Sequence, residues 1–216
     1  MMKDIKLIIF DLYGTLLDAY PAIISSFNYT MHKLGVRTQG PLVIRRAVGR
    51  GDEKLLEPFI KEGTLKKALF IYRKHHRQAL LKGSRLFPGA KRLLTDLKQA
   101  GYKLAVASNR PDEFSRILLR HLKIDKYFDY VLCADKLKNR KPHPEILYKI
   151  RRKFSLTPQE IIYVGDMLIY LKAGLRAKVR TVAVTTGSNT RQELKMAKPY
   201  RIIAAIRDLR KLLAQV

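Results

Sequence analysis

The stretch Leu7-Ile8-Ile9-Phe10-Asp11-Leu12-Tyr13-Gly14-Thr15-Leu16-Leu17-Asp18 (LIIFDLYGTLLD) decides how the rest of the chain is read. An apolar run over Lys6–Phe10 predicts a strand buried on both faces, as in a parallel sheet. The run ends on an aspartate, and a Gly-Thr turn follows. An acid at the end of a buried strand is placed for chemistry, and Tyr13 stands two residues further on, where a second carboxylate would supply an acid beside a nucleophile.

Four more apolar runs repeat the signal: Lys103–Ala107, Tyr130–Cys133, Ile161–Gly165 and Thr181–Thr185. Between them Ala90–Ala100 carries Leu93, Leu94 and Leu97 on one helical face, and Gly101 ends it. Pro111–His121 and Pro144–Phe154 are similar and open on proline. Asp208–Leu213 closes the chain with a short apolar stripe. Alternating strands and helices predict an α/β fold, a Rossmann-like doubly wound parallel sheet. Residues 19–86 break the alternation. They read as helices only, over Pro21–Leu34, Leu42–Val48, Glu53–Ile60 and Leu65–Leu81. The expectation is a core of residues 1–18 and 87–216 with an inserted α-helical cap of residues 19–86.

The bulk properties set limits. The chain has 216 residues and is 47% hydrophobic, which fits a globular protein. One cysteine, Cys133, excludes an internal disulfide. No apolar run approaches the ~20 residues of a membrane span, so the expected location is cytoplasmic with no membrane partner. Lys and Arg number 44 against 18 Asp and Glu, a formal charge of +26. Such a field draws anions, from small phosphates to nucleic acid. No zinc-ligand spacing, RNA-binding aromatic signature or helix-turn-helix pattern supports nucleic acid. Oligomeric state is not legible.

In open parallel sheets the working residues gather at the carboxyl ends of the strands. Here those ends supply Asp11, Tyr13, Gly14 and Thr15; then Ser108, Asn109 and Arg110; then Asn139-Arg140-Lys141-Pro142-His143; then Gly165-Asp166. An aspartate, a hydroxyl, a lysine and another aspartate thus meet above one sheet edge.

Taken in order, DLYGTL, SN, KP and GD make the chain resemble the haloacid dehalogenase superfamily of hydrolases across nearly its whole length. The stretches LFPGAKRLLTDLKQAGYKLAVASN, VGRGDEKLL and LKAGLRAKVRTVAVTTG are similar to the phosphoglycolate phosphatase branch. The resemblance implies a phosphatase-like hydrolase acting on a small phosphorylated substrate. Asp11 would attack phosphorus and form an aspartyl-phosphate. Mg²⁺ would be held by Asp11, Asp166 and the backbone carbonyl of Tyr13. Lys141 would offset negative charge, and Ser108 with the neighbouring Asn109 would bind a phosphoryl oxygen. Gly14 permits the turn, and Thr15 would hydrogen-bond within it. Arg50, in Gly49-Arg50-Gly51 of the cap, could reach a substrate carboxylate.

Two positions depart from the phosphatase pattern, both to tyrosine. Tyr13 replaces the aspartate that protonates the leaving alcohol and later activates water. A phenol with a reference pKa of about 10 can donate a proton but is a poor base at neutral pH. Tyr170, four places after Asp166, replaces an acid that supports the metal. Impaired turnover is therefore expected. Asp followed by Tyr-Gly-Thr is also the pattern of the 2-haloacid dehalogenases, in which the aspartate attacks carbon without metal. Val164-Gly165-Asp166-Met167 does not match their fourth motif. A third possibility is a catalytically degenerate member that binds an anion or a partner through its basic surface.

Overall fold

A computed structural model describes residues 4–214. The elements run β1 (Leu7–Phe10), β2 (Leu17–Asp18), α1 (Tyr20–Lys33), α2 (Pro41–Ala47), α3 (Asp52–Leu56), α4 (Leu65–Gly83) and β3 (Arg85–Leu86). They continue with α5 (Ala90–Gln99), β4 (Lys103–Ser108), α6 (Asp112–His121), β5 (Tyr130–Cys133) and α7 (Glu145–Lys153). The last are β6 (Ile161–Gly165), α8 (Leu168–Arg176), β7 (Arg180–Val184), α9 (Arg191–Lys195), β8 (Arg201–Ile203) and α10 (Leu209–Ala214).

Six strands form one parallel sheet in the order β5-β4-β1-β6-β7-β8. All four residues of β1 are fully buried, because both faces are covered. Side chains alternate across a strand. Ile8 and Phe10 therefore join Leu93, Leu94, Phe114 and Leu118 of α5 and α6 in one core. Leu7 and Ile9 join Ile146, Ile150 and Ala173 of α7 and α8 in the other. Each of the Leu, Ile and Phe side chains among these contributes roughly 1.5–3 kcal/mol on burial.

The chain leaves β1 toward β4 and β5 on one side and returns as β6 on the other. The strand order therefore reverses at β1, which is where a doubly wound sheet opens a crevice. Phe10 pairs with both Val106 and Val164, so Asp11 lies level with Ala107 and Gly165. That register brings the ends of three strands together.

β2 pairs antiparallel with β3 through Leu17↔Leu86 and Asp18↔Arg85, and the chain between them is helical. The expected third helix of that segment, Glu53–Ile60, is a single α turn over Asp52–Leu56 followed by a 3₁₀ turn over Glu57–Phe59. Pro58 is the reason, since it lacks the N–H that a continuing α-helix needs. Two core elements carry weak sequence signals. α8 contains Gly174, whose missing Cβ would lie 2.1 Å from Thr181 Cγ2, so helix and β7 pack closely only with glycine there. β8 is a three-residue edge strand. Among the described residues no helix is long and apolar enough to cross a membrane.

Candidate active site

Lys141 organises the strand ends. It is 2% exposed, and its ammonium donates to Asp11 Oδ1 at 2.6 Å, to the Ala107 carbonyl at 2.6 Å and to Tyr163 Oη at 2.9 Å. An ammonium has three hydrogens, and three acceptors use all of them. The ring of Tyr170 covers the same group, with Nζ 3.8 Å from its centroid. This cation is fixed, and its charge faces one oxygen of one carboxylate. The other oxygen, Asp11 Oδ2, is buried and has no partner.

Asp166 repeats the arrangement. Its Oδ1 accepts from Thr15 Oγ1 at 2.9 Å, while Oδ2 is buried without a partner. Burial pushes the Asp166 carboxyl well above its ordinary range, and the nearby Asp11 charge adds to that. Burial also raises Asp11, opposed by Lys141 and then Arg110. Two glycines leave the free Asp166 oxygen its space. A Cβ at Gly14 would stand 2.3 Å from Oδ2, and one at Gly187 would stand 1.8 Å from it. Gly14 also has φ +80, so the turn and the close approach both require glycine there.

Two like-charged buried carboxylates, each with one oxygen held and one free, suit a hard divalent cation. Among the described residues no group of three or more His, Cys, Asp or Glu side chains could hold a metal, so a cation here would draw on the two carboxylates and on backbone oxygen or water. Mg²⁺ tolerates such a set because it keeps several waters.

The other candidate residues fall into different roles. The Ser108 oxygen accepts the Arg110 N–H at 3.1 Å, a bond that does not use its hydroxyl hydrogen. Asn109 donates to the Gly49 carbonyl at 2.9 Å and the Lys141 carbonyl at 3.0 Å, and accepts from Lys141 N–H at 3.0 Å. Its amide hydrogens are thus taken, and it holds the lysine loop and the Gly49 loop in place. Thr15 Oγ1 does not close the turn after β1. Backbone bonds do so, from Gly14 N–H to Leu17 O and from Leu16 N–H to Leu12 O, which frees the hydroxyl for Asp166. Arg50 is exposed, and its carbonyl accepts from Arg140 at 3.3 Å.

The tyrosines diverge. Tyr13 is 5% exposed and its hydroxyl has no partner. Burial pushes that phenol far above its ordinary value. The Tyr170 hydroxyl instead donates to the Gly49 carbonyl at 3.3 Å.

Tyr163, Gly187 and Arg110 carry no assignment from the sequence. Tyr163 is the one aromatic residue in an otherwise aliphatic strand, and Gly187 lies within the loop after β7, at the same sheet edge. Arg110 follows Ser-Asn directly, is 4% exposed, and donates from Nη1 to Asp52 Oδ1 of α3 at 2.6 Å. Across the same junction Arg140 pairs with Glu53 at 2.6 Å, and Arg46 of α2 pairs with Glu193 of α9 at 2.9 Å. These bonds seat the helical segment on the carboxyl edge of the sheet.

A family model described as haloacid dehalogenase-like hydrolase matches residues 8–184. The chain belongs to the haloacid dehalogenase-like hydrolases. It is similar to a phosphoglycolate phosphatase of Nitrosococcus oceani, 29% identical over 223 residues, which are 100% of this chain and 99% of that one. It is also similar to a phosphoglycolate phosphatase of Aquifex aeolicus, 30% identical over 182 residues covering 84% and 85%. Among solved structures, that of a predicted phosphoglycolate phosphatase from Haemophilus somnus superposes with a TM-score of 0.92. The two are 29% identical and cover 98% of this chain and 99% of the other.

Proposed function

We propose that the protein is a phosphomonoester hydrolase that transfers a phosphoryl group to Asp11 and then to water, with slow turnover. The observation that carries this is the pair Asp11–Asp166, each with one oxygen held and one free and buried. Relatives named phosphoglycolate phosphatase over nearly the full length point the same way. Residues 19–86 act as the cap over the core formed by residues 1–18 and 87–216.

Asp11 and Asp166, with the Tyr13 carbonyl, would hold Mg²⁺. When bound, that ion neutralises the two carboxylates and draws charge from the phosphoryl oxygens. The remaining steps belong to this chain. Lys141 fixes Asp11 through Oδ1 and leaves Oδ2 uncommitted. The Ser108 hydroxyl hydrogen is available to a phosphoryl oxygen. The Asp11 carboxylate attacks phosphorus, an Asp11 O–P bond forms, and the P–O bond to the leaving alcohol breaks. Tyr13 can give that alcohol its proton. Water then cleaves the acyl phosphate and restores Asp11. Once the alcohol has left, the Tyr13 phenolate recovers a proton from solvent, and the neutral phenol cannot take the proton of the attacking water, which passes to solvent, so the second half is the slow one.

The test is a phosphomonoester panel with and without Mg²⁺, run beside 2-chloropropionate. Mg²⁺-dependent phosphate release is expected. Metal-independent halide release would favour attack on carbon, and no turnover at all would favour a binding role for the basic surface.

A further inference from the structure

Residues 167–216 hold only two acids, Glu193 and Asp208, among many lysines and arginines. Asp208 serves its own turn, accepting the Ala205 N–H at 3.0 Å. Glu193 reaches further. Its Oε2 accepts the Thr190 N–H at 2.7 Å, which closes the capping box of α9, and an Asn189 side-chain N–H at 3.0 Å. The same carboxylate takes Arg46 of α2 on both oxygens at 2.9 Å. Asn189 turns its other atom, Oδ1, to the N–H of Leu168 at 3.0 Å. That residue opens α8, two positions after Asp166. An unbroken line of hydrogen bonds thus runs from α2 through Glu193 and Asn189 to the backbone that carries Asp166.

The loop that Glu193 anchors also walls the Asp166 carboxylate. Thr186 Oγ1 donates to the Gly14 carbonyl, and Gly187 leaves room for Asp166 Oδ2, which a Cβ there would meet at 1.8 Å. Beside Arg46, Arg45 lays its guanidinium carbon 3.9 Å from the Tyr20 ring centroid, and the Asp166 charge acts on that phenol. Two neighbouring residues of α2 therefore bear on the Asp166 side of the site. We infer that Glu193 is a positioning residue, which passes the seating of α2 on to Asp166 and makes cation affinity depend on the helical segment being in place. The cation rests on the phosphatase reading; the link from α2 to Asp166 does not.

The test is titration calorimetry of the full chain with MgCl₂ alone. An outer partner that orients a metal carboxylate is worth about tenfold or more in affinity, so Glu193→Ala should raise the Mg²⁺ Kd by that factor. Arg46→Ala discriminates. It removes a positive charge, and charge repulsion alone would then tighten Mg²⁺ binding. The link predicts the opposite, a Kd about threefold higher, the worth of one exposed ion pair. The Arg46 side chain is 53% exposed, so this variant leaves the core intact if Glu193→Ala fails to fold. Arg77→Ala breaks a different ion pair, to Glu113 of α6 on the opposite face of the sheet from α8, and should leave the Kd unchanged. In the Glu193→Ala background, Arg46→Ala should add nothing. A Kd that Arg46→Ala leaves unchanged or lowers, an equal rise in Arg77→Ala, or a further rise in the double variant overturns the link and leaves the phosphatase reading standing. If the wild type binds no Mg²⁺, the cation reading fails by itself. Amide exchange at Leu168 then decides the link: faster exchange in Arg46→Ala than in wild type and Arg77→Ala supports it, and equal rates overturn it.

Discussion

Two turns of the molecule each carry a tyrosine where the phosphatase pattern has an acid, and they use it differently. In the first turn of α8, Tyr170 is committed. Its hydroxyl holds the Gly49 carbonyl and its ring lies 3.8 Å from the Lys141 ammonium. In the turn after β1, Tyr13 is uncommitted, with a buried hydroxyl that bonds nothing and a guanidinium above its ring. The same replacement has thus become part of the scaffold in one place and part of the site in the other. In α8 the ring packs against a cation where the phosphatase pattern has an acid. Under the proposed function, a phenol in place of a carboxylate beside Asp11 would change what the second half-reaction can do.

The largest effect should come from the carboxylates that both tyrosines surround. Asp11→Asn is expected to lower kcat by ~10⁴-fold or more, because it removes the attacking group itself. Asp166→Asn separates function from stability. It should abolish Mg²⁺-dependent turnover and any rise of Tm with Mg²⁺, while raising the Tm of the metal-free protein by a few degrees. The amide removes a carboxyl whose ionisation is opposed by burial and then by the Asp11 charge, and ~1 kcal/mol shifts Tm by about 2–4 °C in a chain of this size. Differential scanning calorimetry with and without Mg²⁺ checks both. A metal-free Asp166→Asn less stable than wild type would mean that the Thr15 bond outweighs the repulsion.

The tyrosines themselves should then part company. Tyr13→Phe removes a hydroxyl that bonds nothing in the resting protein, so stability should hold within about 0.5 kcal/mol while kcat/KM falls. Tyr170→Phe should cost about 1 kcal/mol and raise KM more than it lowers kcat, since it loosens the Gly49 loop. The reverse pattern in urea unfolding and steady-state kinetics would break the comparison.

The smallest effect is one of pH on the lysine loop. Glu145 accepts from the Asn139 backbone and side chain and from Lys138 N–H. Against a desolvation cost, these bonds and Lys149 hold its pKa down to about 2. A depressed carboxyl contributes stability that is fully present above its unfolded value near 4.5 and is lost as pH falls through about 2. Glu145→Gln should therefore lower stability at neutral pH, where that contribution is present, and flatten the acid limb, so that the two proteins converge as pH falls through about 2.

The sheet and the strand-end residues were legible because each rests on a local pattern: an apolar run, then an acid, a hydroxyl or a lysine. The roles that depend on distant partners were not. Thr15 reaches Asp166 across 151 positions, and nothing near Thr15 says so. Arg110 looked like one basic residue among 44, and only its burial against Asp52 separates it from the surface cations. α8 was concealed by Gly174 and β8 by its three residues. For Asn109, the strand-end position was legible, but the use of its amide on two loops was not.

The account turns on Asp11 as the group that carries phosphorus and on Tyr13 as the reason it is slow to leave. Rapid-quench mass spectrometry of the protein with 2-phosphoglycolate and Mg²⁺ reads this directly. Phosphoryl should accumulate on Asp11 during turnover, be labile to hydroxylamine as an acyl phosphate is, and decay faster in Tyr13→Asp. Phosphate release with no label on Asp11, or a label whose decay Tyr13→Asp leaves unchanged, would contradict it.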